Sequence, residues 1–400
     1  MTDTPADQVS TQAEKTAFAV LLAVSFCHML NDIMQSMLSA IYPMLKSNYG
    51  LDFWQIGLLT MAFQVTASLL QPAIGLVTDK RPMPYSLSVG MGSTFVGLLL
   101  LATASHYVVL VIGAMFVGLG SAIFHPESSR VARLASGGRY GFAQAVFQVG
   151  GNVGSAVGPL LAAFIVMPKG QGSVGWFSFA ALLGMLVLWR VGTWYSRYRI
   201  RTASRPSVAG SLTLPRGRIA VALAVLITLV IAKNVYMAGI SSYYTFFLIE
   251  KFGLSVQQSQ ILLFIFLGSV AAGTVLGGLI GDRIGSKTVI WFSILGVLPF
   301  TLALPYADLF WTPVLTIAIG LILASAFPQI VVLAQELLPG RVGMVAGMFF
   351  GFAFGAGGLG AAALGILADR HGIEFVYNIC SFLPLLGLLT VFLPDLKKTG

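Results

Sequence analysis

Apolar runs of spanning length follow one another from end to end of this chain, each closed by a short polar or Gly/Pro-rich break. A helix rising 1.5 Å per residue needs about 20 mostly apolar residues to cross a bilayer core. Twelve such runs are legible, centred near Leu30, Thr66, Phe95, Leu119, Asn152, Met185, Lys233, Gly268, Gly296, Leu323, Phe354 and Leu386. The connections between them alternate in charge. Lys15, Lys80, Arg81, Arg139, Arg283, Lys287, Arg341, Lys397, Lys398 and the stretch from Arg197 to Arg218 fall on one side, and Lys46, Lys169, Lys251 and Arg370 on the other. The excess of Lys and Arg makes the first side cytoplasmic, which puts both termini there.

The two halves of the chain repeat. "NYGLDFWQIGLLT" from Asn48 resembles "KFGLSVQQSQILL" from Lys251, with Gly50 and Leu51 falling on Gly253 and Leu254, 203 residues later. The same shift carries Asn31 to Asn234, Gln55 to Gln258, Gly75 to Gly278 and Asp79 to Asp282, and a shift of 202 carries Arg139 to Arg341 and Phe147 to Phe349. Such duplication marks transporters, whose site lies between the repeats at mid-depth. The predicted fold is all-α and integral to the membrane, with twelve transmembrane helices in two pseudo-symmetric six-helix bundles. Residues 1–15 read as a disordered cytoplasmic tail without signal-peptide features, 16–196 as the N-terminal bundle, 197–218 as a basic cytoplasmic linker, 219–394 as the C-terminal bundle and 395–400 as a second tail.

Composition excludes a soluble protein. Hydrophobic residues make up 57% of the 400 positions and charged residues only 9%, against about 25% in soluble domains. The net charge of +9 does not point to nucleic acid, because the basic residues sit in short connections. The tract Arg197, Arg199, Arg201, Arg205 lacks the fold a nucleic-acid binder needs. Cys27 and Cys380 lie inside apolar stretches and read as buried thiols.

Two short motifs sharpen the picture. "GGLIGDRIGSKTVI", between spans eight and nine, resembles the loop signature of the major facilitator superfamily through Gly278, Gly281, Asp282, Arg283, Gly285 and Lys287. Its first-half copy, "GLVTDKRPMP", keeps Gly75, Asp79 and Lys80 but has Pro82 in place of a glycine. Glycines let helices approach closely, and an acid can hold a helix N-terminus through its dipole. The resemblance implies a cytoplasmic latch in which Asp79 and Asp282 pair with the start of a helix in the opposite half, near Arg341 and Arg139 respectively. "GSAVGPLLAA" in span five resembles the superfamily's antiporter motif, with Ala162 and Ala163 for its last two glycines. Gly154 and Gly158 share a face for close helix packing, and Pro159 removes one backbone hydrogen bond. Over nearly the whole chain, "CHMLNDIMQSMLSAIYP", "FHPESSRVARLASGGR" and "SSYYTFFLIEKFGLS" resemble the fosmidomycin resistance proteins, an efflux branch of that superfamily. This resemblance implies proton-driven export of a phosphonate antibiotic.

Polar residues at membrane depth mark the candidate site. In span one His28, Asn31, Asp32, Gln35 and Ser39 form one helical stripe that must line a cavity or a polar interface. Asp32 reads as a proton-coupling acid and Glu127 as a second. Lys233 and Asn234 lie mid-span in the seventh helix, where Lys233 could face Asp32 or bind an anionic substrate. In span four His125 flanks Glu127, which can pair with Arg130 at i, i+3, and Arg130 offers a planar fork for a phosphonate. Gln144, Gln148 and Asn152 recur every four residues in span five, and Tyr236, Tyr243 and Tyr244 read as either cavity hydroxyls or interfacial anchors. Spans ten to twelve read as packing helices.

The expected function is proton-coupled efflux of a toxic small molecule by alternating access, from a monomer in the inner membrane. Its partners are a drug or metabolite, protons and lipid, with no nucleic acid and no cofactor. Proton-coupled uptake of an organic anion is the alternative. No H-E-x-x-H or G-x-S-x-G string at membrane depth suggests an enzyme, and no compact His/Cys cluster along the sequence suits a metal.

Overall fold

The computed structural model describes residues 16–202 and 214–396. Lys15, Lys397, Lys398, Arg205 and the remaining residues of the two tails and the linker beyond those bounds lie outside the described residues.

Among the described residues, twelve helices are long and apolar enough to cross a membrane. They are α1 (Phe18–Ala40), α2 (Leu58–Lys80), α3 (Ser86–Thr103), α4 (Tyr107–Ala135), α5 (Tyr140–Lys169), α6 (Gln171–Arg201), α7 (Arg216–Phe252), α8 (Ile261–Ile284), α9 (Ser286–Tyr306), α10 (Trp311–Leu337), α11 (Val342–His371) and α12 (Ile373–Phe392). Every predicted centre falls within its helix, and no strand forms among the described residues.

The sequence repeat has a local physical cause. Gly50 and Gly253 both end a helix in the left-handed region, with φ of 60° and 65°, where a side chain would be strained. Two residues later Asp52 and Ser255 start the next helix. The Gln55 side chain accepts from the Asp52 backbone N–H at 2.8 Å, and that of Gln258 from the Ser255 N–H at 3.1 Å. The Ser255 hydroxyl in turn accepts from the Gln258 backbone at 3.2 Å, closing a reciprocal cap.

Close helix crossings hold each half together. α5 lies on α1 through Gly150, Gly154 and Gly158, where a Cβ would come within 1.9 Å of Ser25 O, 2.3 Å of Met29 O and 2.0 Å of Ser36 Oγ respectively. The antiporter-like stretch therefore packs two helices of the same half. Pro159 is followed at once by a π-helical turn over Ala162–Val166, and α2 carries another over Val65–Leu69.

The halves meet at one end, the face that carries Asp79 and Asp282. A Cβ on Gly75 of α2 would lie 2.2 Å from Gly343 O of α11, and one on Gly278 of α8 would lie 2.6 Å from Gly141 O of α5. Further along α11, a Cβ added at Gly355 or Gly357 would meet nothing within 4 Å, and one at Gly358 would lie 3.5 Å from Gln64 Nε2 of α2. Gly75→Val is therefore expected to prevent closure of the Asp79/Asp282 face while the fold survives. Trypsin or maleimide accessibility of that face, raised above wild type, checks it.

Candidate functional site

α1 presents its polar stripe inward because α5 covers it with bare glycine backbone. His28 and Asn31 are fully buried and Asp32 is 7% exposed. The Asp32 carboxylate accepts from Asn31 Nδ2 at 3.1 Å, Gln35 Nε2 at 3.2 Å and Ser155 Oγ at 3.4 Å. His28 Nε2 lies 3.5 Å from Asp32 Oδ2, and His125 Nε2, from α4, lies 3.8 Å from Oδ1. The two Nε2 atoms are 3.3 Å apart. Asp32 opens onto a cavity of about 260 Å³ that Gln35, Ser39, Gln64, Ser155 and Phe354 also line.

Aromatic rings seal the triad on its other sides. The His28 ring stacks on Phe147 at 4.2 Å, and His125 packs against Phe350 at 5.2 Å and Phe354 at 5.0 Å, both from α11. Phe350 in turn meets Phe327 of α10 at 5.2 Å. The Lys233 ammonium sits 5.3 Å from the centre of the Phe327 ring. Two phenylalanine rings thus separate Lys233 from His125, and Lys233 does not pair with Asp32. No carboxylate pairs with Lys233 among the described residues. Asn234 turns back to donate to Val230 O at 2.8 Å.

Polar bridges cross between the halves below the triad. Gln335 of α10 donates to Ser129 at 3.0 Å, and Ser129 donates to Gln144 at 3.0 Å. Gln148 donates to Asn152 at 3.4 Å, and Asn152 donates to Thr274 of α8 at 3.3 Å. The Gln144 amide nitrogen and the Gln148 amide oxygen are buried with no hydrogen-bond partner among the described residues.

At the closed face two carboxylates grip opposing helix N-termini. Asp79 accepts from the backbone N–H of Gly343 at 2.9 Å and Met344 at 2.8 Å. Asp282 accepts from Gly141 at 2.7 Å and Phe142 at 2.9 Å. Arg341 and Arg139 stand just before these helices, at their N-caps, and the Arg139 guanidinium lies 4.5 Å from the Phe142 ring. Arg283 adjoins Asp282 at the end of α8. Each bond crosses from one half to the other and adds a negative charge where the helix dipole is positive.

The structure corrects four of the sequence readings. Arg130 is not a free fork for an anion. It sits 2.5 Å from both Asp79 and Glu127 and donates to the carbonyls of Thr78 and Gly75, so its donors are used within the closed face. Glu127 is correspondingly an ion-pair partner, 1% exposed, that also accepts from Ser86. Tyr236 and Tyr244 face the interior of their own half beside Tyr377 rather than the cavity, and the Tyr244 hydroxyl bonds Thr316 at 3.0 Å. The Tyr244 hydroxyl thus meets a neighbouring helix, an orientation that depth alone does not reveal. α11 is also more than a packing helix, since Phe350 and Phe354 close over His125.

Comparison with known proteins gives this architecture its family. The model of the Major Facilitator Superfamily matches residues 24–247 and 225–399. The chain belongs to the Major Facilitator Superfamily. As a member it is a multi-pass inner-membrane transporter of small molecules. It is 58% identical over 386 residues to the fosmidomycin resistance protein of Escherichia coli (strain K12), covering 96% of this chain and 95% of that one. It is 39% identical over 393 residues to the uncharacterized MFS-type transporter YfnC of Bacillus subtilis (strain 168), with 96% and 94% coverage. Among solved superfamily structures, the transporter FucP in the outward conformation superposes with a TM-score of 0.72 at 14% identity, over 94% of this chain and 98% of that one. The human organic anion transporter MFSD10 superposes with a TM-score of 0.74 at 16% identity, over 94% and 100%. At such identity these two establish the fold alone.

The joining of His28 to His125 and the ring wall of Phe147, Phe350 and Phe354 escaped the sequence reading. A helical stripe signals that α1 is polar on one side, but not which residue of α4 it meets.

Proposed function

We propose that this chain exports fosmidomycin or a similar phosphonate antibiotic from the cell in exchange for protons. The observation that carries this reading is the near whole-length identity to the fosmidomycin resistance protein of Escherichia coli. Residues 16–196 and 219–394 act as two rocking bundles, the basic face and both termini are cytoplasmic, and the monomer in lipid is the working unit. With the Asp79/Asp282 face closed and the cavity at Asp32 open on the other side, the described state is the outward-facing one.

Proton coupling is supported by the position of Asp32 between a cavity and two histidines. A proton arriving from outside neutralises the carboxylate beside the two neutral imidazoles. A neutral triad is better tolerated when the cavity closes above it, so uptake favours the inward-facing state. Inside, the drug displaces the proton, and the recharged site returns outward. Lys233 supplies the cation for the phosphonate, supported by its having no carboxylate partner among the described residues, while Gln148, Asn152 and Gln144 supply amides for its polar groups.

A resistance assay in a strain lacking its own exporters tests this reading. Expression is expected to raise fosmidomycin tolerance, and an uncoupler to abolish the gain. Unchanged tolerance, or greater drug accumulation, would overturn it and favour uptake. Lys233→Ala is expected to weaken transport of an anionic substrate by roughly tenfold, the value of one charge-assisted contact. Equal losses for neutral and anionic compounds in a vesicle transport assay would remove that assignment.

A further inference from the structure

The histidine tautomers at the triad have a consequence beyond proton exchange. His28 Nδ1 lies 2.8 Å from the carbonyl of Phe147, and a carbonyl only accepts, so Nδ1 carries the hydrogen. His125 Nδ1 lies 3.0 Å from the Ser121 carbonyl and 3.2 Å from the Ser121 hydroxyl, and the shorter contact, to the carbonyl, is made by the Nδ1–H tautomer. Both Nε2 atoms of the neutral rings therefore turn lone pairs toward one another across 3.3 Å, with a carboxylate beside them. In those tautomers three electron-rich atoms converge on one point, an arrangement that a positive centre satisfies, whether a proton or a metal ion.

The geometry points to a binding site for a divalent transition-metal cation of the zinc class, held by His28 Nε2, His125 Nε2 and an Asp32 carboxylate oxygen. The ligand atoms lie within 4.8 Å of one another. Tetrahedral zinc with bonds of about 2.0–2.1 Å sets its ligands about 3.3 Å apart. The two nitrogens stand 3.3 Å apart, at that edge, while the Asp32 oxygens lie 3.5 Å (Oδ2 to His28) and 3.8 Å (Oδ1 to His125) away, so a rotation and inward movement of the carboxylate brings one oxygen to both histidines and completes the site. The support behind the ligands also fits. Each histidine anchors its far nitrogen on a backbone carbonyl, and Asn31 and Gln35 orient the carboxylate. A Cβ on Gly151 would lie 2.5 Å from His28 Nε2 and 2.9 Å from Asp32 Oδ2, so this glycine keeps the space beside the two ligands clear. Three protein ligands leave a fourth position. Asp32 itself borders the cavity, from which an oxygen of a phosphonate or a water would reach that position.

The site adjoins the proposed transport cavity at Asp32 but does not depend on the direction of transport or on the drug. A bound metal occupies the atoms that would take the proton, so external zinc is expected to arrest export.

The test is Zn²⁺ titration of the full-length protein in lipid nanodiscs, in chelator-washed buffer, with Co²⁺ as a spectroscopic stand-in. Wild type is expected to bind about one equivalent and to give the visible absorption of tetrahedral Co²⁺. His28→Gln and His125→Gln are each expected to weaken binding at least tenfold, whereas His106→Gln and His371→Gln leave it unchanged. Gly151→Ala keeps all three ligands, crowds the metal position and is expected to lose the Co²⁺ spectrum. Size-exclusion profiles confirm that each variant folds. Absence of binding by wild type, or equal binding by His28→Gln, would overturn the site and leave the triad a proton holder. Proton-driven export without zinc binding would refute this proposal alone, and zinc binding without drug export would refute the functional reading alone.

Discussion

Asp32→Asn is expected to abolish proton-driven fosmidomycin export while leaving the protein folded in the membrane. Asparagine keeps the shape of the side chain and an oxygen for Asn31, Gln35 or Ser155 to bond, but it neither binds nor releases a proton. One elementary charge falling through 100 mV yields roughly 2.3 kcal/mol, which sustains roughly a fifty-fold concentration ratio. Loss of that coupling should remove the resistance gain, whereas exchange of labelled for unlabelled drug without a gradient should persist. Resistance and vesicle exchange measured side by side check both halves of the statement. Retained uncoupler-sensitive export in the variant would take the coupling role away from Asp32.

The double variant Asp79→Asn/Asp282→Asn is expected to open the closed face. Each carboxylate binds two backbone N–H groups across the halves at 2.7–2.9 Å, and Asp79 also neutralises Arg130. An asparagine has a single acceptor oxygen, so at least one charge-assisted bond is lost at each site. Such bonds contribute about 1.5–3 kcal/mol each, more than the roughly 1.4 kcal/mol that shifts an equilibrium tenfold. Ser129 is fully buried in the polar bridge behind this face, and Ser129→Cys is nearly isosteric. A membrane-impermeant maleimide applied from the basic side should label that cysteine at least tenfold faster in the double variant. Equal rates would mean that the two acids do not hold the face shut.

The elements of the molecule differ in how far the sequence revealed them. The twelve spans were legible because bilayer thickness imposes its own length on every helix. The duplication was legible because Gly50 and Gly253 must adopt the left-handed conformation and the following Gln55 and Gln258 must cap, and those requirements preserve residue type. Helix rotation was not legible. His28 and His125 are 97 residues apart and meet only because α5 glycines seat α1 at one particular depth. Arg130 showed its partner Glu127 at i, i+3, but nothing local showed that Asp79 of α2 would take its other side. Tyr244 sits at membrane depth like a cavity residue, yet its hydroxyl is satisfied by Thr316 inside its own half. The run of small residues in α11 hid Phe350 and Phe354, which wall the triad.

Proton movement driven by the drug itself tests the exchange most directly. Purified protein is reconstituted into liposomes loaded with a pH-sensitive dye, and a fosmidomycin gradient is imposed with no starting pH difference. Antiport is expected to drive protons against the flow of drug, visibly with wild type and not at all with Asp32→Asn. A wild-type pH change in the same direction as the drug, or drug movement with none, would contradict it.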